Sequence, residues 1–416
     1  MRVAIVGAGY SGTIAAVELA RAAPGAEIIL VEKSGRFGAG AAYGTDEPGH
    51  RLNVRARNMS ALAGEPDHFA DWAGARGFGP DDYVPRRLYR DYLGGVLGEG
   101  EAERVADAVV AVEAHGLRLA SGERVRCDAI VLAGGNYPSR LPRAFKGGID
   151  DPWSEHGREA LAKAAARGGE VLLVGTGLTM VDMAVSLEEA GFAGRITACS
   201  RRGLVPRAHV SPPVEPEAWN PPERLGELVQ ALKRREPWRA AVDALRPHTQ
   251  KLWQGFSTAE KKSFLRHLRP WWDVHRHRIA PAVAARIEGM RASGRLEVVA
   301  GRIRAIAGER VTIERRGGCG RFERGFAAVI NCTGPEGDIR RVRDPLIEQL
   351  LADGLARPDP LGLGLDVDES SRVLGAGPSP ALYALGPLTR GRFWEIVAVP
   401  DIRGQAQGVA RAIAAR

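Results

Sequence analysis

Hydrophobic and polar positions along the chain fall into two rounds of one pattern. Val3 to Val6 is a short apolar run of the kind buried in a parallel sheet, Thr13 to Ala23 repeats with a helical period, and Pro24-Gly25 stops it. Glu27 to Val31 is a second buried strand, Arg104 to Ala120 reads as short strands joined by turns, and the stretch from Cys127 to Pro142 holds a strand that runs into glycines. The pattern then restarts with a strand over Glu170 to Val174, a helix to Ala190 and a strand from Gly194 to Ser200. From Pro206 to Met290 the periodicity is helical, punctuated by prolines, and the segment holds five of the eight tryptophans: Trp219, Trp238, Trp253, Trp271 and Trp272. Strand and hairpin patterning returns from Leu296 to Arg316, "FAAVINCTGP" (326–335) mirrors "DAIVLAGGNYP" (128–138), and the tail reads strand, turn and closing helix. This alternation predicts an α/β chain that repeats one unit, with a helical insertion at about 207–293.

The turns inside the repeat carry the chemistry. In the first unit Gly7, Gly9 and Gly12 stand in a G-x-G-x-x-G frame between strand and helix, with Tyr10 and Ser11 inside it. Glu32, followed by Lys33, lies twenty residues past Gly12 at the end of the second strand. Gly7 permits a tight turn, Gly9 lets the backbone approach a pyrophosphate, and Gly12 lets helix and strand pack closely. The helix N-terminus favours the phosphates, and Glu32 suits both ribose hydroxyls of an adenosine. This unit is expected to bind a dinucleotide.

The second unit keeps Gly175 and Gly177 but has Met180 at the third position. The two glycines that serve the pyrophosphate survive, Thr176 and Thr179 add hydroxyls, and Ser200-Arg201-Arg202 replaces the acid at the strand end. Arginines there suit a 2′-phosphate, which favours NADPH over NADH. The alternative is a solvated basic turn over a nucleotide-free half.

Several blocks, among them "GAAYGTDEPGHRLNVRARNMSALAGEPDHFADW", "YVPRRLYRDYL", "GTGLTMVD", "FLRHLRPWWDVHRHRIAP" and "WEIVAVPDIRGQA", resemble a family of bacterial FAD/NAD(P)-binding proteins. The layout is more distantly similar to flavin-dependent N-hydroxylating and class B monooxygenases. The resemblance implies two Rossmann-like, three-layer ββα dinucleotide-binding domains, with FAD on the first and NADPH on the second. On that reading residues 1–150 begin the FAD domain, 151–336 form the NAD(P) domain with the insertion, and 337–416 complete the FAD domain. The turns Ala133-Gly134-Gly135 and Cys332-Thr333-Gly334 match the "ATG"-type closure of each unit. Gly386-Pro387 stands where such families commonly carry Gly-Asp, so the usual carboxylate for the ribityl chain is missing. The resemblance also implies Asn53 as a polar contact near the flavin, Asp401, Ile402 and Arg403 at its pyrimidine edge, and Trp394 and Glu395 in the cavity. An ordinary helix cap by Asp401 is the competing reading.

In the insertion, His275 and His277 are two residues apart and face different sides of a helix, a poor pair of metal ligands, and no metal is expected. Trp271, Trp272, His275 and Arg278 suit either a substrate pocket, with Arg278 on a carboxylate, or a tightly packed corner. The net charge of +8 comes from arginines interleaved with acids and no recognition motif accompanies it, so nucleic acid is not an expected partner. Cys127, Cys199, Cys319 and Cys332 form no C-x-x-C pair, which argues against a dithiol relay and for a reducing cytoplasm. No apolar run is long enough to span a membrane. These features predict an FAD- and NADPH-dependent oxidoreductase, foremost a monooxygenase acting on a small amine-like substrate. The alternatives are an NAD(P)H reductase serving a quinone or protein, and a flavin-binding scaffold with a vestigial second site. Self-association into a homo-oligomer is left open.

Overall fold

The apolar runs become the strands of two separate, mostly parallel sheets. The computed structural model describes residues 1–98, 102–142, 145, 148–376 and 381–416. Its strands are β1 (Arg2–Val6), β2 (Glu27–Val31), β3 (Glu103–Val105), β4 (Val109–Glu113), β5 (Gly116–Leu119), β6 (Arg124–Arg126), β7 (Ala129–Leu132), β8 (Glu170–Val174), β9 (Arg195–Ser200), β10 (Leu296–Ala307), β11 (Arg310–Arg315), β12 (Arg321–Gly325), β13 (Ala328–Asn331) and β14 (Ala381–Ala384). The first sheet has the order β14-β7-β1-β2-β3, every pair parallel. Successive side chains of a strand point to opposite faces, so β1 serves two cores. Val3 and Ile5 meet Ile14 and Leu19 of the Tyr10–Ala22 helix and Ile402 and Val409 of the closing Val399–Ala414 helix. Ala4 meets Val112, Leu117 and Val125 of the small antiparallel sheet β4-β5-β6. Helices, parallel sheet and small sheet make the three layers, and each fully buried Ile or Leu contributes about 1.5–3 kcal/mol.

The second sheet has the order β12-β11-β10-β9-β8-β13. β13, β8, β9 and the start of β10 run parallel, and β11 and β12 extend the sheet as an antiparallel hairpin. Val171 and Leu173 pack on the Leu178–Glu189 and Pro281–Ala292 helices, while Leu172 and Cys199 pack against Val299 and Ile313. Between β9 and β10 the chain makes the insertion, whose helices begin at Leu225. The expected helical character from Pro206 is absent up to Arg224, because Pro212, Pro213, Pro216, Pro221 and Pro222 remove the amides a helix would use.

The two units are clamped to each other. Arg86, at the start of the Arg86–Val96 helix, forms a two-pronged ion pair with Asp182 of the second-unit helix, at 2.9 and 3.1 Å. His50 sits beside it, with Nδ1 2.8 Å from the Thr45 hydroxyl and Nε2 within 3.0 Å of both the Asp182 carbonyl and the Ser186 hydroxyl. Among the described residues no helix is long and apolar enough to cross a membrane.

Candidate functional site: two cavities that meet at the second glycine turn

The first turn is built as its glycines require. Gly7 has φ +98°, and a Cβ on it would lie 2.7 Å from the Ala133 carbonyl oxygen at the end of β7. A Cβ on Gly12 would overlap the Gly7 carbonyl, so helix and strand touch there as expected. Gly9 is crowded from a second direction. The run after β2 folds back, with the Gly38 amide donating to the Ala8 carbonyl at 2.8 Å, and brings Gly40 onto Gly9. A Cβ on Gly9 would lie 3.2 Å from the Gly40 Cα, and one on Gly40, whose φ is +54°, 2.9 Å from the Gly9 Cα. The Cα side of Gly9 is therefore packed against the Gly40 backbone, a contact only two glycines allow.

Glu32 accepts the Ala8 amide at 2.9 Å on one oxygen and the Ser34 amide and hydroxyl at 3.0 and 2.7 Å on the other. That fixes the carboxylate while leaving lone pairs for ribose hydroxyls. Lys33 is exposed. Tyr10 is buried and its hydroxyl donates to the Val399 carbonyl at 3.0 Å, so its side chain joins two helices and only its amide faces the turn. Ser11 lies against Gly386, where a Cβ would come within 2.7 Å of its hydroxyl oxygen. Gly386 has φ +66° and its amide donates to the Gln405 side chain at 2.8 Å. Gln405 also holds Ser371 and Thr389, and Pro387 is the second residue of a short 3-10 turn, Gly386–Thr389. Gly134 is covered by the Tyr137 hydroxyl, 2.9 Å from where its Cβ would be. The first-turn amides of the Tyr10–Ala22 helix, the fixed Glu32 and the glycine backbone at Gly386 fit the adenosine and diphosphate of an FAD.

The second turn is open. Gly175 has φ +120° and would overlap the Cys332 carbonyl if it carried a Cβ, repeating the Gly7–Ala133 contact, but around Gly177 nothing lies within 4 Å. Met180 is fully buried under β8. Gly175, Thr176, Gly177, Thr179, Ser200, Arg201 and Arg202 all line one cavity of about 920 Å³. Two hydroxyls are committed elsewhere: Thr176 donates to the Leu204 carbonyl at 2.5 Å and meets Ser200 at 2.8 Å, and Ser200 accepts the Gly203 amide at 3.0 Å. They shape the turn that presents the arginines instead of reaching a phosphate themselves. Arg269, Arg302 and Arg390 join Arg201 and Arg202 in the lining against one carboxylate, Asp273, which pairs with Arg269. Cys199 and Cys332 also line the cavity, and burial pushes both thiols up, Cys199 to about 11, which makes them poor nucleophiles.

A second cavity, of about 630 Å³, is walled by Tyr43, Asn53, Val399 and Pro400 on one side and the insertion on the other. The Asn53 carbonyl accepts from His209 Nε2 at 2.9 Å, and its side-chain amide makes no hydrogen bond to the described residues. Burial, with Arg278 nearby, pushes the His209 imidazole down to about 4, so the ring is neutral. Seven arginines line this cavity, and internal carboxylates occupy most of them: Arg55 and Arg57 share Asp81, Arg86 takes Asp182, Arg276 takes Glu395 and Arg278 takes Asp243. Among the described residues the polar partner of Arg239 is the Ala208 carbonyl, at 3.1 Å, and that of Arg246 is Asp401, at 4.0 Å. Burial and neighbouring arginines hold both below the usual arginine range. Leu178, Thr179, His277 and Val397 line both cavities, so the two join there.

Other expected residues fall elsewhere. Arg278 faces the arginine-lined cavity but its carboxylate partner is Asp243, not a ligand, while Trp271, Trp272 and His275 line a third cavity inside the insertion. Trp394 faces that third cavity, stacked on Trp253 with centroids 4.8 Å apart. Glu395 is buried with φ +70°, takes the Trp272 N–H at 2.8 Å, and has Arg276 Nε at 2.9 Å and His277 at 3.6 Å. Burial works against its charge, but His277 and Arg276 hold the carboxyl well below the usual carboxylate range. A buried carboxylate needs such partners. At the closing helix Ala398 is the capping residue, and the Ile402 amide is bonded to the Ala398 carbonyl at 3.0 Å. Among the described residues the Val399 and Asp401 amides of the first turn have no backbone partner, and the Asp401 carboxylate faces Arg246. Gly40, Arg86, Asp182 and Gln405 were not among the expected site residues. The signal for Asp182 was a charge inside the apolar run "LTMVDMAVSL".

Residues 4–137 match the model of a family described as FAD-NAD(P)-binding. The match runs from β1, through the first glycine turn, to the end of β7 and just beyond. Over its whole length the chain is similar to the solved structure of reduced ornithine hydroxylase from Pseudomonas aeruginosa, with TM-score 0.70 and 17% identity over 100% of this chain and 98% of that one. L-lysine 6-monooxygenase from Pseudomonas syringae aligns with TM-score 0.67 and 17% identity over 100% and 99% of the two chains. Bacillithiol disulfide reductase from Staphylococcus aureus aligns with TM-score 0.58 and 14% identity over 100% and 98%. At such identities the likeness is one of fold: an α/β chain of two Rossmann-like units. No match is found among the curated proteins.

Proposed function

We propose that the chain is an FAD-dependent oxidoreductase that takes its hydride from NADPH, and that it oxygenates a small amine bearing an acidic group. The observation that carries this reading is the junction at Leu178, Thr179, His277 and Val397, where the nucleotide cavity opens into the flavin-side cavity. FAD, when bound, supplies the redox step, accepting the hydride and passing electrons to oxygen. The protein's part is position and electrostatics. Arg201 and Arg202 hold the 2′-phosphate, and the open backbone at Gly177 lets the diphosphate close on the helix end. The side-chain amide of Asn53 and the backbone amides of Val399 and Asp401 would hold the flavin ring. Arg239 and Arg246 hold the acidic group of the substrate, and their field favours its amine in the neutral form, whose lone pair is the nucleophile. Raised thiols at Cys199 and Cys332 speak against a dithiol exit for the electrons.

Two arginines on a 2′-phosphate, at about 1.5–3 kcal/mol for each charge-assisted contact, give NADPH about 3 kcal/mol over NADH, or ~150-fold. The double substitution Arg201→Ala, Arg202→Ala is expected to remove that preference, read as dissociation constants for the two nucleotides. Equal weakening of both would remove the arginines from the site. Oxygen uptake stimulated by an amine that bears a carboxylate, with a hydroxylated product, is the expected assay result. NADPH turnover with a quinone and none with oxygen would make the protein a reductase, and no turnover at all a scaffold.

A further inference from the structure

The helices of the insertion surround an opening of about 580 Å³ that belongs to neither nucleotide cavity. A basin of this size, open to solvent and lined by Leu228, Leu245, Leu252, Trp253, Phe256 and Trp271, leaves a contiguous apolar surface uncovered, which marks a binding groove. Its volume falls in the range of small-molecule pockets. Trp271, at 45% exposure, stands at its edge. The wall includes a π turn at Phe264–Leu268, an irregularity that recurs at functional sites and here places Phe264, His267 and Leu268 on the opening.

The polar side chains of the lining decide the ligand's charge. No Asp or Glu lines the basin, and besides the tryptophan indoles its polar groups are Lys233, Thr249, His267 and His275. The Thr249 hydroxyl donates to the Arg246 carbonyl at 3.0 Å, and His275 Nδ1 lies 2.8 Å from the Trp271 carbonyl. Lys233 and His267 are exposed at the mouth and make no hydrogen bond or ion pair with the described residues. A lysine cation and an imidazole N–H donor over an apolar basin complement an amphipathic anion. We infer that the insertion carries a second ligand site that takes an apolar organic acid, its hydrocarbon body in the basin and its anionic group at Lys233 and His267.

The site abuts the redox region through one connection. Trp272 lines the basin with its ring and donates its N–H to Glu395, and Trp394 lies in the wall. Two residues after Glu395, Val397 lines both nucleotide-side cavities. The site itself does not depend on the proposed oxygenase activity.

The test uses the full-length FAD-loaded protein and dodecanoate below its micellar range, followed by tryptophan emission, with dodecyltrimethylammonium as the cationic counterpart. Saturable binding of one equivalent of dodecanoate is expected, with the cation at least about tenfold weaker, as for one lost charge contact. Lys233→Glu, an exposed change, is expected to weaken dodecanoate by about tenfold and to strengthen the cation. Val229→Trp, which fills the basin, is expected to abolish both. Absence of saturable binding, or equal affinity for the two amphiphiles, would overturn the proposal. So would a dimer in sedimentation that Val229→Trp converts to monomer, because the basin would then be a contact between two copies of the chain.

Discussion

The two glycine turns of this chain share a design and differ at two positions. In both, the first glycine has positive φ and rests on a carbonyl at the end of a neighbouring strand, Ala133 under Gly7 and Cys332 under Gly175. In the first unit Gly12 presses on Gly7 and the loop at Gly40 seals the turn over Gly9. In the second unit Met180 is buried instead, and the space at Gly177 is open to a large arginine-lined cavity. A sealed turn suits a group that stays; an open one suits a nucleotide that comes and goes. Loss of the third glycine affects how helix and strand pack and leaves the open face intact, so the departure at Met180 is not by itself a mark of a dead site.

The largest test of that contrast is at the third position. Gly12→Ala drives a methyl group into the Gly7 carbonyl and is expected to destabilise the protein by about 4 kcal/mol or more and to release the FAD. Met180→Ala only leaves a cavity, at about 2–5 kcal/mol. Denaturant unfolding and flavin content report both, and a Gly12→Ala protein as stable as the parent would mean that the turn is not held as described.

The seam between the units gives a pH signature. Burial brings the His209 pKa down to about 4 in the fold, against about 6.5 when unfolded, so between those values the unfolded chain binds a proton that the folded chain does not. Stability is therefore complete above pH ~6.5 and falls as pH drops towards 4, by about 3 kcal/mol in all. His209→Gln, which keeps a donor for the Asn53 carbonyl, is expected to flatten that slope in melting temperature against pH. An unchanged slope would place the acid-sensitive group elsewhere.

The smallest expected effect on stability sharpens the comparison most. Gly177→Ala meets no atom within 4 Å, so stability should stay within about 0.5 kcal/mol of the parent. NADPH affinity should nevertheless fall about tenfold if a diphosphate approaches this backbone. Unchanged affinity would remove the nucleotide from the turn.

How much of this was legible in the sequence depended on the reach of the physics involved. Strand periodicity and the glycine frames are local, and they placed both units, the small strands and the closing helix. Seven residues expected at the second nucleotide site, from Gly175 to Arg202, line one cavity. The misses are non-local. Nothing near Gly9 announces that Gly40 will cover it, and Glu395 reads as a cavity carboxylate until Arg276, His277 and Trp272, more than a hundred residues earlier, are seen to hold it. The tryptophans and Arg278 looked like one pocket because they are adjacent in sequence, but the helix ending at Arg276 separates them into two.

The central claim, that the open second turn feeds electrons to a flavin on the first unit, is tested most directly without oxygen. NADPH added to the FAD-loaded protein should bleach the visible flavin band in full, at a rate that falls in the Arg201→Ala, Arg202→Ala double variant. A band that persists with NADPH, with and without amine-bearing acids present, would contradict it.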